Sequence, residues 1–325
     1  MTQAWPTRAA IATLTMLYLA AVAVADDDWP ARQPIHLIAP YAAGGYSDFT
    51  ARNAANFMSR ALSAQVIVEN RPGAAGVIGT QVVAKAPPDG HWLCICGSGS
   101  ITLAPAIEGV PYDPLKDVVP VSLINTVPLF LIVNRDPPPH TLAEFIAWAK
   151  SKPSGLTYGS SGTGGTMHIA GEVFRNRTGL NMIHVPYRGS GLTSNALVAG
   201  EIDTAFVFSS DIMGLLQAKT VRPLAISTAR RSPYFPDIPT VMEQGIADFD
   251  FVTWNGLFAP AGVPKPIMDK LAAVMADMVK SPEILKVNAE FGASNPTITP
   301  DEFAAQLRTD AVRWKQYLSG VVVKN

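Results

Sequence analysis

The chain holds only two cysteines and five histidines in 325 residues, and charged residues make up just 16% of it. Cys94 and Cys96 have one residue between them. On an expected strand that spacing turns both side chains to one sheet face. A bridge between them would strain the backbone, so both are read as core packing. There is no H-E-x-x-H, no close His pair and no CxxC, so no metal centre is expected. The formal net charge is −1 and no Lys/Arg run occurs, which excludes nonspecific nucleic-acid binding. G-x-S-x-G, S-x-x-K and the phosphate-loop pattern are also missing. Glycines 162, 164 and 165 miss the dinucleotide pattern by one position, and no cofactor is expected. These absences count against hydrolases, zinc enzymes and nucleotide enzymes.

A single long apolar run is present, from Ala9 to Val24, with Arg8 before it and Ala23-Val24-Ala25 at its end. A positive start, a short apolar stretch and a small-x-small site describe a secretory leader over 1–25, cleaved after Ala25. The run is short for a membrane span, and the mature chain is expected to be exported to the periplasm. Its hydrophobic content of 48% suits large buried sheets. The length favours two domains.

The stretch that organises the rest is Pro40-Tyr41-Ala42-Ala43-Gly44-Gly45-Tyr46-Ser47-Asp48. It follows an expected strand, Ile35 to Ala39, and opens an expected helix, Phe49 to about Leu62. A strand, a glycine turn and a helix N-terminus gather unpartnered N–H groups and partial positive charge at one point. That is an anion site, and Gly44 and Gly45 let a ligand approach the backbone. Further strands are expected at Gln65–Glu69 and Trp92–Cys96, giving β-α-β-α-β and a parallel sheet. Gly97-Ser98-Gly99-Ser100 follows the third strand. Strands are also read at Val119–Asn125 and Leu129–Asn134, the second crossing between domains. A capping box at Thr141 opens a helix to about Lys150.

A second series starts at Thr157–Ser160. Its loop, Ser160-Ser161-Gly162-Thr163-Gly164-Gly165-Thr166, leads to a helix from about Met167 to Thr178. Strands follow at Met182–Val185, Thr204–Phe208 and Val221–Ser227, and Phe251–Phe258 returns to the first domain. His168 falls in the first turn of its helix, where a neutral ring can bond a neighbouring loop carbonyl. Ligands of open α/β sheets sit beyond the carboxyl ends of strands. Two such units facing each other make a cleft with donor loops on both walls, suited to an elongated organic anion.

Several stretches together carry a family resemblance. They are Pro40-x-x-x-Gly44-Gly45-x-Ser47-Asp48, Val68 to Gly76, Ala84 to Gly90, Pro111 to Pro114, His184 to Gly189, Arg231-Ser232-Pro233 with Pro236 to Val241, and Ala259 to Gly262. In this order they span the mature chain, which resembles the periplasmic receptors of tripartite tricarboxylate transporters, the Bug receptors. The resemblance implies an α/β, two-lobed periplasmic binding protein fold of type II-like form. Each lobe would be a mixed sheet flanked by helices, with the ligand cleft between them. One lobe would comprise 29–128 plus 253–325, the other 129–252. Such receptors bind small carboxylates, deliver them to membrane permease subunits and do no chemistry. By position, Gly44, Gly45, Tyr46, Ser47 and Asp48 would form the first carboxylate loop, with Ser98 and Ser100 on the same wall. Ser161, Thr163, Gly164, Thr166 and His168 would oppose them, with Tyr187, Gly189 and Phe208 nearby.

The chain departs from the family pattern at three places. Tyr46 stands where a small residue is usual. Gly165 replaces a common hydroxyl residue, which Thr166 can supply. Val207-Phe208 replaces a pair that is often polar. Tyr46 and Phe208 would give the cleft an apolar middle, favouring an aromatic carboxylate over an aliphatic dicarboxylate. The alternative placements put Phe208 in the core and Tyr46 in solvent. Recognition is expected to rest on backbone N–H groups and hydroxyls, with Arg188 the main charged candidate. The expected protein is a monomeric receptor and not an enzyme. The alternatives are a secreted α/β hydrolase using Ser47 or Ser161 with His168, and a ligand-binding partner of a sensor kinase.

Overall fold

The computed structural model describes residues 29–107, 109–136 and 139–319. The expected leader lies outside them. Strand β1 (Ile35–Ala39) leads into helix α1 (Tyr46–Leu62). The helix starts at Tyr46 and not at Phe49, because Gly45 is the extended N-cap residue and the next three residues already form the first turn. Then come β2 (Val66–Asn70), a 3-10 turn at Ala74–Gly76, α2 (Val77–Ala84) and β3 (Trp92–Gly97). A π-helical turn, Gly99–Leu103, and short α3 (Ala104–Ile107) precede β4 (Val118–Asn134). The second series is α4 (Leu142–Lys150), β5 (Leu156–Ser160), α5 (Thr166–Thr178), β6 (Met182–Pro186) and α6 (Ser190–Val198). It continues with β7 (Thr204–Phe208), α7 (Ser209–Gln217) and β8 (Val221–Ile226). The chain closes with β9 (Val252–Pro260), α8 (Lys265–Lys280), α9 (Pro282–Glu290) and α10 (Pro300–Leu318).

The strands run in the order β2-β1-β3-β9-β4-β7-β5-β6, with β8 also on β4. The central device is β4. Its two expected pieces form one 17-residue strand. The first part pairs antiparallel with β9 as far as Pro128 opposite Val252. The second part, from Leu129 opposite Phe208, pairs with β7 and β8. Hydrogen bonding thus changes partners within one residue, and the sheet divides into two halves joined by continuous backbone. Each half has its own helices, giving a two-lobed α/β fold.

In the first lobe, Ile35, Leu37 and Ala54 pack with Leu271 and Met275 on one sheet face. On the other face, Cys94 and Phe258 meet Phe303 and Leu307 of α10. The second lobe is built on Phe130, Phe145, Phe174 and Phe206. Helix α10 does not stay in the first lobe, as expected for 253–325. Its later residues Trp314 and Leu318 join the second lobe's core.

One expectation is corrected here. Cys94 and Cys96 are joined by a disulfide, with their Cα atoms 5.3 Å apart. That separation lies inside the range a bridge tolerates. A fully extended pair two residues apart would stand about 7 Å apart. The strand is gathered between them, so the two buried sulfurs meet on one face.

Candidate functional site

Loops from both lobes meet at the end of the sheet. Ala42 N–H donates to the Arg188 carbonyl across the cleft at 3.2 Å. The approach is close enough that a Cβ on Gly45 would lie 2.8 Å from Ser190 Oγ. Behind this contact is a small cavity of about 20 Å³. Tyr41, Tyr46, Ser47, Ser98, Thr253 and Asn255 line it from the first lobe, and Ser161, Thr166, Ser190 and Phe208 from the second.

The cavity collects helix N-termini. Tyr46, Thr166 and Ser190 are the first residues of α1, α5 and α6, and Phe208 is the N-cap residue of α7. None of these four helices has a side-chain cap. By contrast, α4, α9 and α10 are capped by Thr141, Ser281 and Thr299. Uncapped first turns leave N–H donors and the positive dipole end free for an anion. Hydroxyls supplement them. Ser98 Oγ is 3.0 Å from Thr166 Oγ1 across the cleft and 2.7 Å from Thr253 Oγ1.

Tyr46 and Phe208 are brought together, with ring centroids 5.2 Å apart and tilted. Tyr46 is only 5% exposed. Its hydroxyl donates to Asn125 Oδ1, which fixes the ring as part of the wall. The solvent placement for Tyr46 is thereby replaced. Burial, reinforced by the nearby Asp211 carboxylate, raises its pKa well above 10.0.

Of the other expected site residues, Ser47, Ser98, Ser161 and Thr166 reach the cavity. Gly44, Gly45, Asp48, Ser100, Thr163, Gly164, His168, Tyr187 and Gly189 are not part of its lining. Asp48 turns back to its own loop, where Oδ2 accepts from Gly44 N–H and Arg52 Nε and Oδ1 from Asn70. Burial works to raise its pKa, but these bonds outweigh it and hold it below the ordinary value. Ser100 accepts from the Thr80 hydroxyl. Tyr187 packs outward, its hydroxyl facing Glu201. Arg188 is exposed and offers the cleft its carbonyl, not its guanidinium.

His168 is a positioning residue for the opposing loop. Its Nδ1 accepts from Gly164 N–H at 2.9 Å, where the expectation was a bond to a carbonyl. Gly164 has φ +80, a conformation that suits glycine. The ring stacks on His184 at 3.9 Å. His184 is held neutral, its pKa pushed down to about 3 by burial and then by His168. Ser47 donates to the Ile95 carbonyl. With Nδ1 of His168 taken by the Gly164 N–H as well, this geometry does not favour the alternative serine–histidine pair.

Sequence reading missed Tyr41, Ser190, Thr253, Asn255 and the half-buried Asp211. Asp211 is the third residue of α7, a helix the reading did not place. The Ser190 hydroxyl of its own lobe and the Tyr46 backbone N–H of the first lobe lie near its carboxylate and favour its charged form. Its Oδ2 is buried without a hydrogen-bond partner. Burial lifts its pKa up to about 7, against the pull of both donors. Among the described residues no cluster of three or more His, Cys, Asp or Glu could hold a metal ion.

Comparison with known proteins gives a consistent result. A family model described as tripartite tricarboxylate transporter family receptor matches residues 50–319. BugT of Bordetella pertussis is 32% identical over 299 residues, covering 90% of each chain. The solved structure of periplasmic binding protein BugD superposes with TM-score 0.86 at 29% identity, covering 90% of this chain and 99% of that one. An R. palustris protein with adipate gives TM-score 0.86 at 31% identity, covering 90% of this chain and 97% of its own. MatC from Rhodopseudomonas palustris with bound malate gives TM-score 0.85 at 29% identity, covering 89% and 100%.

Proposed function

The chain belongs to the tripartite tricarboxylate transporter receptor family, and from that premise we propose that it captures a small organic carboxylate between its lobes and delivers it to a tripartite-type membrane permease. The family consists of periplasmic solute-binding receptors, not enzymes. The observation that carries the reading is the cavity onto which four uncapped helix N-termini open. The neighbours that hold adipate and malate support an organic acid as the ligand class. The residues offered to it are Ser47, Ser98, Ser161, Thr166 and Ser190, with first-turn amides. A charge-assisted hydrogen bond contributes about 1.5–3 kcal/mol, so a few converging donors reach about micromolar affinity.

The tilted Tyr46–Phe208 pair favours a ligand with an aromatic body over an aliphatic one. This reading divides the lobes at Pro128 and Val252, supported by the change of strand partners along β4 there. The leader over 1–25 would send the protein to the periplasm.

One preparation tests these points. Protein recovered from the periplasm should begin at Asp26 by intact mass and should release an organic acid on denaturation. Titration calorimetry with aromatic and aliphatic acids should then show saturable uptake without turnover. If only C4–C6 aliphatic diacids raise the melting temperature, the aromatic reading is wrong. If no organic acid binds, the receptor reading falls.

A further inference from the structure

The first turn of α1, which the sequence marks as an anion seat, has an acidic side chain of the second lobe beside it. Asp211 lies near the Tyr46 backbone N–H and the Ser190 hydroxyl, at the starts of α1 and α6, and feels both. Both donor residues line the cavity, as does Phe208, three residues before Asp211. The carboxylate is therefore the protein's own anion in a seat suited to a ligand's. Its Oδ2 is buried and makes no hydrogen bond, so it can still accept from a donor. A second carboxylate placed beside it would share a dry site with a like charge, which strongly disfavours having both ionised. The opposite side of the cavity, around Ser98, Thr166 and Thr253, has hydroxyls and the first turn of α5.

We propose that Asp211 sets the charge selectivity of the cleft. The ligand carries one carboxylate, held at the Ser98–Thr166 side, and presents a neutral or cationic end to Asp211; matched diacids are rejected. The Tyr46–Phe208 pair beside that end suits an apolar body, and the face of an aromatic ring also attracts a cation. This inference rests on the receptor reading above.

The test uses calorimetry on the mature protein at pH 8, where Asp211 is ionised. The probes are benzoate against terephthalate, and hexanoate and 6-aminohexanoate against adipate. The wild-type protein should bind its best monoacid or amino acid at least tenfold tighter than the matched diacid. Asp211→Asn and Asp211→Ser should each improve diacid binding at least tenfold, while 6-aminohexanoate weakens. Circular dichroism and melting curves confirm that each variant is folded. If the wild-type protein binds terephthalate or adipate as tightly as the partner acid, the proposal is overturned while the receptor reading stands. Folded variants that leave the ratio unchanged overturn it equally, because the charge would then not be the cause. If wild type and variants bind none of the five probes, this proposal falls, while the receptor reading falls only if the wider panel of organic acids also fails to bind.

Discussion

Two half-buried side chains give this protein opposing pH dependences. Asp211 has its pKa raised from 3.8 to about 7 by burial. The folded protein keeps that proton while the unfolded chain loses it. Stability is therefore lost as pH rises through about 4 and the loss is complete near 7. His184 runs the other way. Its pKa falls from 6.5 to about 3, so the unfolded chain takes up a proton that the folded protein refuses. Stability is then lost as pH drops below 6.5. The groups facing Asp211 do not blur this. Tyr46 of α1 stays protonated throughout, α6 contributes Ser190, and α7 holds no other titratable residue. On acidification from pH 7 to pH 4, Asp211→Asn should lose more stability than wild type and His184→Gln less, by denaturant midpoints across the series. Curves parallel to wild type would remove both assignments. Neither side chain was legible as a titrating group. His184 reads as a strand residue in a family stretch, and Asp211 drew no reading because its helix was not placed. Only tertiary packing makes them unusual: the first lobe against Asp211, and Tyr158 and His168 against His184.

At the scale of elements, legibility followed local chemistry. The capping box at Thr141 was readable because Ser/Thr with Glu three residues on is a local signal, and the helix starts there. The anion-site turn before α1 was readable for the same reason. Helix α7 was not read. Its sequence, Ser-Ser-Asp-Ile-Met-Gly-Leu-Leu-Gln, is short and interrupted by Gly214. The Cys94–Cys96 bond escaped because extended geometry argues against it and only a gathered strand permits it. The end of α10 escaped because its pattern shows an apolar face but not which lobe receives it. Phe303 and Leu307 pack in the first lobe, and Trp314 and Leu318 in the second. Trp314 lies 5.2 Å from Phe251 and is edge-on to Tyr317. Trp314→Ala should cost about 3 kcal/mol, the scale for losing a buried aromatic ring, and urea titration would measure it. The acid-binding constant of the folded variant should change little, because Trp314 is remote from the cavity lining. A loss below about 1 kcal/mol would mean that α10 is not anchored in the second lobe.

For the whole molecule, the question is what holds the lobes together without a ligand. The contacts across the cleft are few and mostly polar: Ala42 to Arg188, Ser98 to Thr166, and Asp211 near the Tyr46 N–H. The single large apolar contact among them is Tyr46 on Phe208. A neutral hydrogen bond contributes a net of about 0.5–1.5 kcal/mol, and an aromatic pair adds about 0.5–1.5 kcal/mol beyond its burial. That sum is comparable to the cost of desolvating the amides and the carboxylate at the cleft, so the empty protein should exchange between open and closed forms. The covalent links favour such motion, because β4 and β9 pass through the division as extended strands. A ligand acid adds bonds only in the closed form, and it shifts the population by its differential affinity for that form. Small-angle scattering should therefore show a smaller radius of gyration when a bound acid is present. Tyr46→Ala removes the one apolar clasp and should weaken acid binding by about tenfold, equivalent to about 1.4 kcal/mol, with the ligand-free variant at least as expanded as wild type. An unchanged radius on ligand addition would mean that the lobes are locked as a single body, and delivery to a permease would then need a motion other than opening about β4 and β9.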